Sequence, residues 1–178
     1  MPNAPDDALE RARRVRLMVF DVDGVLTDGR LWYGTQGETV KAFSARDGLG
    51  LRLLAESGVA LALLTSRRSE AVALRAAELR IAHVLQGSEH KHAPFVALLS
   101  QLGLQPEQAG YMGDDLVDLP VLRRCGLACA PAGAPDIVLR NSHYVTTSQA
   151  GAGAVREVCE FVLRAQGKLE SALAAYLA

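Results

Sequence analysis

Short apolar runs alternate along the chain with longer stretches in which apolar residues recur at helical spacing. The runs Val15–Phe20, Val59–Leu64, His83–Leu85, Gly110–Met112, Leu127–Ala130 and Tyr144–Val145 predict strands. Between them, Phe95, Val96, Leu98, Leu99 and Leu102, and later Val155, Val158, Cys159, Val162 and Leu163, predict helices with one apolar face. This alternation predicts an α/β fold, a doubly wound, Rossmann-like parallel sheet with helices on both faces. One segment departs from it. Arg30-Leu-Trp-Tyr33 and Glu38-Thr-Val-Lys-Ala-Phe43 flank the turn sequence Gly34-Thr-Gln-Gly37, which predicts a β-hairpin over about residues 30–43, inserted after the first strand. Two strands alone are marginal, so the apolar face carrying Trp32, Tyr33 and Phe43 is expected to pack on something, such as another subunit. The last stretch, about 167–178, follows a glycine and carries Leu169, Leu173 and Leu177, which predicts a short docked helix or a mobile tail.

Length and charge narrow the picture. With 178 residues the chain can bury one core and has no room for a second large one, so residues 1–178 are expected to form a single domain. Nineteen Lys and Arg against twenty Asp and Glu leave a net charge of −1, which gives no electrostatic reason to expect a nucleic-acid partner. The apolar runs fall short of the roughly 18–20 residues a bilayer crossing needs. No secretory pattern precedes the first of them, so no membrane partner and a cytoplasmic location are expected. Cys125, Cys129 and Cys159 cannot all pair with one another and form no C-x-x-C, so they are expected as small buried hydrophobes.

The chemistry starts at Val19-Phe20-Asp21-Val22-Asp23-Gly24, where an apolar run ends in two carboxylates. In an extended chain, residues two apart project to the same side. Like charges at the carboxyl end of a central strand are costly to desolvate unless a cation or a shared proton offsets them. That end of an open α/β sheet is also where ligands bind. A calcium loop does not fit, because the fifth, sixth and twelfth residues from Asp21 are Val25, Leu26 and Trp32. Gly110-Tyr-Met-Gly-Asp114-Asp115-Leu-Val-Asp118 repeats the pattern. If both strands are central, Asp114 faces Asp21 across a gap of metal-ion size, and such hard oxygen donors suit Mg²⁺. Leu64-Thr65-Ser66-Arg67 ends another strand in hydroxyls able to donate to a phosphoryl oxygen, and Lys91 follows Gly87-Ser-Glu-His90 beyond the third.

In this order, Asp21-x-Asp23-Gly24, Thr65, Lys91 and Gly113-Asp114-Asp115 resemble the four motifs of the haloacid dehalogenase superfamily of phosphatases, over nearly the whole chain. Within it, Asp21-Val-Asp-Gly-Val-Leu-Thr-Asp-Gly29, Arg46-Asp-Gly48, Gln86-Gly87, Gly113-Asp-Asp-Leu116, Gly153-Ala-Val-Arg-Glu157 and Ala165-Gln-Gly-Lys-Leu169 are similar to the 3-deoxy-D-manno-octulosonate 8-phosphate phosphatase family. The resemblance implies a sheet of the haloacid dehalogenase type with no large cap domain. It implies a Mg²⁺-dependent phosphomonoesterase acting on a sugar-acid phosphate in lipopolysaccharide biosynthesis. It also implies a homotetramer formed through the hairpin, with the C-terminal tail reaching a neighbour's site.

Roles follow from the same resemblance. Asp21 is the expected nucleophile, forming an aspartyl phosphate, and Asp23 the acid that protonates the departing sugar oxygen and then the base that deprotonates water. For this task Asp23 is expected to lie beside other acids, whose charge helps it keep a proton. Thr65 and Lys91 complete the catalytic set. Mg²⁺ is expected on the Asp21 carboxylate, the Asp23 backbone carbonyl and the Asp114 carboxylate, with Asp115 and Asp118 orienting these ligands. Thr65, Ser66, Arg67, Lys91 and Arg46 are the expected substrate contacts, with a sugar-acid carboxylate bound by Arg46 or by Arg156 and Lys168. Thr65-Ser66-Arg67 stands where the family usually has Thr-Gly-Arg, and His90 where Asn or Asp is common. Phosphatases of nine-carbon sugar-acid 9-phosphates share the catalytic residues, so the identity of the sugar stays open.

The rival from another class is a non-enzymatic phosphoacceptor resembling response-regulator receivers, which also combine acids, Thr and Lys on a doubly wound sheet. There the acidic pair precedes the acceptor Asp, whereas here Asp21 comes first and Asp114-Asp115 late. A signalling phosphoaspartate also has no use for a general base at Asp23.

Overall fold

The computed structural model describes residues 6–35 and 37–177. Its main sheet has six strands, all parallel: β1 (Leu17–Phe20), β4 (Ala60–Leu64), β5 (His83–Leu85), β6 (Ala109–Met112), β7 (Leu127–Ala132) and β8 (Tyr144–Gln149). The spatial order is β5-β4-β1-β6-β7-β8. The chain therefore runs outward from β1 through β4 to β5, then crosses back to place β6 on the other side of β1. The carboxyl ends of β1 and β6 border the crevice that such a reversal leaves open.

Alternation along the buried strands assigns each side chain to a face. Met18 and Phe20 join one core with residues of α1 (Asp6–Arg14), α2 (Ala45–Glu56), α3 (Glu70–Glu78) and α7 (Ala154–Ala165). Leu17 and Val19 join the other, beneath α4 (His92–Leu102), α5 (Leu119–Leu122) and α6 (Asp136–Arg140). The register Phe20↔Leu63 and Phe20↔Met112 brings the three strand ends level, so the residues that follow them meet.

Apart from this sheet stands a two-stranded antiparallel ribbon, β2 (Trp32–Gly34) with β3 (Gly37–Val40). Of its expected turn, position 36 lies outside the described residues. Trp32, Tyr33 and Val40 are exposed on it. The C-terminal stretch forms α8 (Leu169–Ala174), whose Leu169 is buried in this chain's own core, and the Lys168 side chain donates to the Ser57 carbonyl at 2.9 Å. The tail is thus a docked helix through residue 174. Tyr176 and Leu177 beyond it are exposed.

Helix α1 buries Ala8 and Ala12 and leaves Arg13 and Arg14 exposed, with Arg11 paired to Asp7 at 2.7 Å. One local expectation is corrected. Asp23 does not extend β1. The strand ends at Phe20, and the Val22 carbonyl accepts from the N–H groups of Val25, Leu26 and Thr27, which curls the chain into a tight turn. Side chains two apart on a turn no longer share a side. All three cysteines are buried and unbridged, as small hydrophobes.

Candidate active site

Asp21 follows β1 directly, its N–H bonded to the Met112 carbonyl of β6 at 3.0 Å, so the backbone ladder fixes its position. Thr65 follows β4 in the same way, its N–H on the Leu85 carbonyl at 2.9 Å. Lys91 leads into α4, and its ammonium, almost wholly buried, lies 2.8 Å from Asp21 and 2.7 Å from Asp118. Asp114 follows β6, and Asp21, Asp114 and Asp118 each offer an oxygen within 4.8 Å of the others. The two acidic motifs, far apart in sequence, thus meet at the sheet mouth.

Gly24 explains how they can approach so closely. Its φ is +87°, and a Cβ there would lie 2.0 Å from Oδ2 of Asp114. Only glycine fits both constraints.

Asp118 is the organiser of this cluster. Lys91 Nζ and the Tyr111 hydroxyl donate to its Oδ1 at 2.7 and 2.6 Å, and the N–H groups of Asp114 and Asp115 donate to its Oδ2 at 3.0 and 3.1 Å. Four donors leave this carboxylate little capacity for a further ligand, so its work is to hold Lys91 and the Asp114 loop. Asp115 is exposed and accepts from the Leu116 N–H at 2.7 Å, capping the turn that carries Asp118. Tyr111 is fully buried; burial, then the charge of Asp118 and of Asp21, push its hydroxyl well above the usual tyrosine value, so it remains a donor.

Burial, followed by the repulsion of Asp118, pushes Asp21 up to about 7 against the pull of Lys91. Asp114 is also raised to about 7, first by burial and then by Asp21 and Asp118. Burial alone would lower Lys91, but the charges of Asp21 and Asp118 outweigh it and raise the ammonium. Three carboxylates around one ammonium leave a surplus of negative charge, and Oδ1 of Asp114 is buried with no hydrogen-bond partner. Charge, an orphaned oxygen and an all-oxygen donor set together fit a hard divalent cation such as Mg²⁺.

Asp23 lies in different company from that expected. Its Oδ1 pairs with Lys41, which follows β3 by one residue, and its Oδ2 lies 3.9 Å from Nε of Arg67. Arg67 in turn bonds the Tyr33 hydroxyl of the ribbon at 3.2 Å. The turn at 22–27 thus presents the Asp23 carboxylate to two cations, one beyond the ribbon and one after β4. Ser66 donates to the Ser88 carbonyl at 3.2 Å, and the Thr65 hydroxyl accepts from the Arg67 N–H at 3.3 Å, so both hold the loop that presents Arg67.

Arg46 is exposed on a cleft of about 370 Å³ that it shares with Ser148, Arg156 and Glu160. The neighbouring Asp47, fully buried, accepts from the N–H groups of Gly153 and Arg156 at 3.2 and 2.8 Å and so caps α7. The loop before α7 packs on the turn after the aspartates, with the Gly151 N–H on the Val25 carbonyl at 3.1 Å. Sequence reasoning missed Lys41, Tyr111 and Asp47. For Tyr111 a signal existed, since a tyrosine inside a central strand needs a partner for its hydroxyl; for Lys41 there was none, because its burial depends on how the ribbon folds back.

No protein-family model matches the chain. It is 47% identical over 167 residues to the 3-deoxy-D-manno-octulosonate 8-phosphate phosphatase of Yersinia pestis, spanning 94% of this chain and 89% of that one. Against the enzyme of the same name from Escherichia coli K12 the identity is 44% over 166 residues, covering 93% and 88%. The solved structure of the 3-deoxy-D-manno-octulosonate 8-phosphate phosphatase from Moraxella catarrhalis, in complex with a magnesium ion, a phosphate ion and a KDO molecule, superposes with a TM-score of 0.94 at 39% identity, covering 96% of this chain and 98% of that one. With likeness of this extent joined to acids, lysine and threonine gathered at one sheet mouth, the chain belongs to the 3-deoxy-D-manno-octulosonate 8-phosphate phosphatase family, a group of phosphatases within the haloacid dehalogenase superfamily.

Proposed function

We propose that this phosphatase hydrolyses 3-deoxy-D-manno-octulosonate 8-phosphate to 3-deoxy-D-manno-octulosonate and phosphate through an aspartyl phosphate on Asp21. The observation that carries the reading is the buried Asp21, Lys91 and Asp118 assembly beside Asp114 at the sheet mouth. Asp21 attacks phosphorus while the bond to the sugar oxygen breaks, and Asp23, its Lys41 and Arg67 neighbours offset by the negative charge of the bound ester, gives that oxygen its proton. Asp23, now a carboxylate, takes a proton from the water that attacks the aspartyl phosphate, which frees Asp21 and phosphate and restores the acid. Thr65 donates to a phosphoryl oxygen, and Lys91 offsets charge on Asp21 and the transferring group. Held by the Asp21 and Asp114 carboxylates and the Asp23 backbone carbonyl, Mg²⁺ supplies the positive charge that this anionic cluster lacks.

Beyond the core, Ser66, Arg67 and Arg46 contact the substrate, Arg46 through its carboxylate. The chain works as one hydrolase domain in the cytoplasm, assembled as a homotetramer through the ribbon, whose exposed Trp32, Tyr33 and Val40 suit burial against other copies. Phosphate release from the eight-carbon acid 8-phosphate and from a nine-carbon acid 9-phosphate, each with Mg²⁺ and with a chelator, tests this. Expected is steady, Mg²⁺-dependent turnover, with kcat/KM for the eight-carbon substrate at least about tenfold higher. Preference for the nine-carbon ester would reassign the substrate, and one stoichiometric burst without turnover would make the protein a phosphoacceptor.

A further inference from the structure

Lys41 is the feature outside the expected site that bears most directly on its chemistry. Its side chain is 1% exposed, although it belongs to the segment leaving an exposed ribbon. A buried ammonium is costly without a partner, and one partner it reaches is Oδ1 of Asp23. The other oxygen of the same carboxylate is buried and accepts no hydrogen bond among the described residues. One oxygen is therefore anchored and the other left open, the arrangement a proton carrier needs if it is to face its substrate in one fixed direction. A second tie runs from Tyr33 on the ribbon through Arg67, whose Nε lies 3.9 Å from that open oxygen.

We infer that Lys41 is a positioning residue: by gripping Oδ1 it aims Oδ2 of Asp23 at the departing oxygen, so the ribbon sets the geometry of proton transfer. This rests on the reading of Asp23 as the general acid and deepens it. Lys41 touches no reacting atom in this scheme. It acts through Asp23, and in the phosphoryl-transfer step its effect is confined to leaving groups that need a proton delivered.

Leaving-group dependence reads this out. The sugar oxygen must be protonated as it departs, whereas the phenolate released from p-nitrophenyl phosphate needs no proton. Hydrolysis of the aspartyl phosphate, where Asp23 is the base, is common to both esters, so the rate compared is that of leaving-group release in the first turnover, with enzyme in excess. In the full-length enzyme with Mg²⁺, Lys41→Met is expected to lower that rate for 3-deoxy-D-manno-octulosonate 8-phosphate by roughly tenfold to a hundredfold, part of what a general acid contributes. The same variant should lose less than about threefold on p-nitrophenyl phosphate, and Lys41→Arg, which keeps the charge, should recover most of the sugar-phosphate rate. Thermal melting of both variants shows whether they are folded. If Lys41→Met does not fold, Lys41→Gln takes its place: a selective loss on the sugar phosphate supports the inference, and equal losses overturn it. Equal losses on the two substrates would overturn the inference and leave Lys41 a structural residue.

Asp23→Asn run alongside separates the two levels. If it discriminates strongly between the substrates while the Lys41 variants do not, the inference fails and the general-acid reading stands. If Asp23→Asn itself shows no discrimination, both fall.

Discussion

The floor and the rim of the sheet mouth are built from the same residue types and do opposite things with them. On the floor, Asp21, Asp114 and Asp118 surround one ammonium, Lys91, and the surplus charge is negative. On the rim, one carboxylate, Asp23, lies between two cations, Lys41 and Arg67. The aspartates at the start of the two regions are separated by a single residue. The difference shows that position along the chain does not set the chemistry of a carboxylate; what packs on it does. An anionic floor attracts a cation, and the exposed Arg67 at the rim meets the solvent from which an anionic phosphate ester arrives.

The hardest test of the floor is Asp21, the proposed nucleophile. Asp21→Asn keeps the shape and the Met112 backbone bond but removes the attacking oxygen, so steady-state phosphate release should fall by at least about 10⁴-fold while the thermal melt stays cooperative. Appreciable residual turnover would mean that another group is phosphorylated.

Much of the floor could be read from the sequence, and little of the rim. Asp21, Thr65 and Asp114 each follow an apolar run closely, and parallel strands in register bring such positions together. Lys91 needed only its place after β5. Asp23 was identified, but its surroundings were misjudged, because the alternation of an extended strand was carried past Phe20 into a turn. Lys41 and the Tyr33–Arg67 bond depend on how the ribbon folds back over the sheet, which no local pattern encodes. The C-terminal leucines predicted a helix, and only the packing of Leu169 on this chain's own core decides between docked and mobile.

Asp118 sharpens the contrast from the floor side. An amide in its place would turn one of two acceptors toward donors as a donor itself, against Lys91 and Tyr111 or against the Asp114 and Asp115 N–H groups. Asp118→Asn should therefore lower kcat by about 10²-fold, the scale of a misplacement near 1 Å, with a much smaller change in KM. An unchanged kcat would show that Lys91 and the Asp114 loop hold their positions without it.

The charge surplus also makes a thermodynamic prediction. Asp21 and Asp114 titrate as a set near 7 in the folded chain against 3.8 for a free aspartate. The folded state thus keeps protons that the unfolded state releases between about pH 4 and pH 7. Their contribution to stability is present at the acid end of that window and is lost as pH rises through it. A divalent cation binds the ionised pair, so Mg²⁺ should raise Tm more at pH 8 than at pH 5. At a hundredfold excess over Kd the gain is about 2.7 kcal/mol, or roughly 5–10 °C for a chain of this length. Equal shifts at both pH values, measured by calorimetry with and without chelator, would place the cation away from these two carboxylates.

The smallest effect belongs to the outer rim. Arg46 lies on its own cleft, across the loop before α7 from the turn that carries Asp23, and among the described residues makes no ion pair with Asp21, Asp23, Asp114 or Asp118. If it binds the sugar-acid carboxylate, it does so in the Michaelis complex and the transition state alike, so it contributes uniform binding. Arg46→Ala should then raise KM for the sugar-acid phosphate by roughly threefold to tenfold with kcat unchanged, the loss of one solvent-accessible charged hydrogen bond. p-Nitrophenyl phosphate carries no carboxylate and should not register the substitution at all. A change in kcat would instead connect Arg46 to the floor through Asp47 and the α7 cap, whereas an unaltered KM for the sugar acid would remove Arg46 from the substrate contacts and leave recognition to Arg67 and the ribbon.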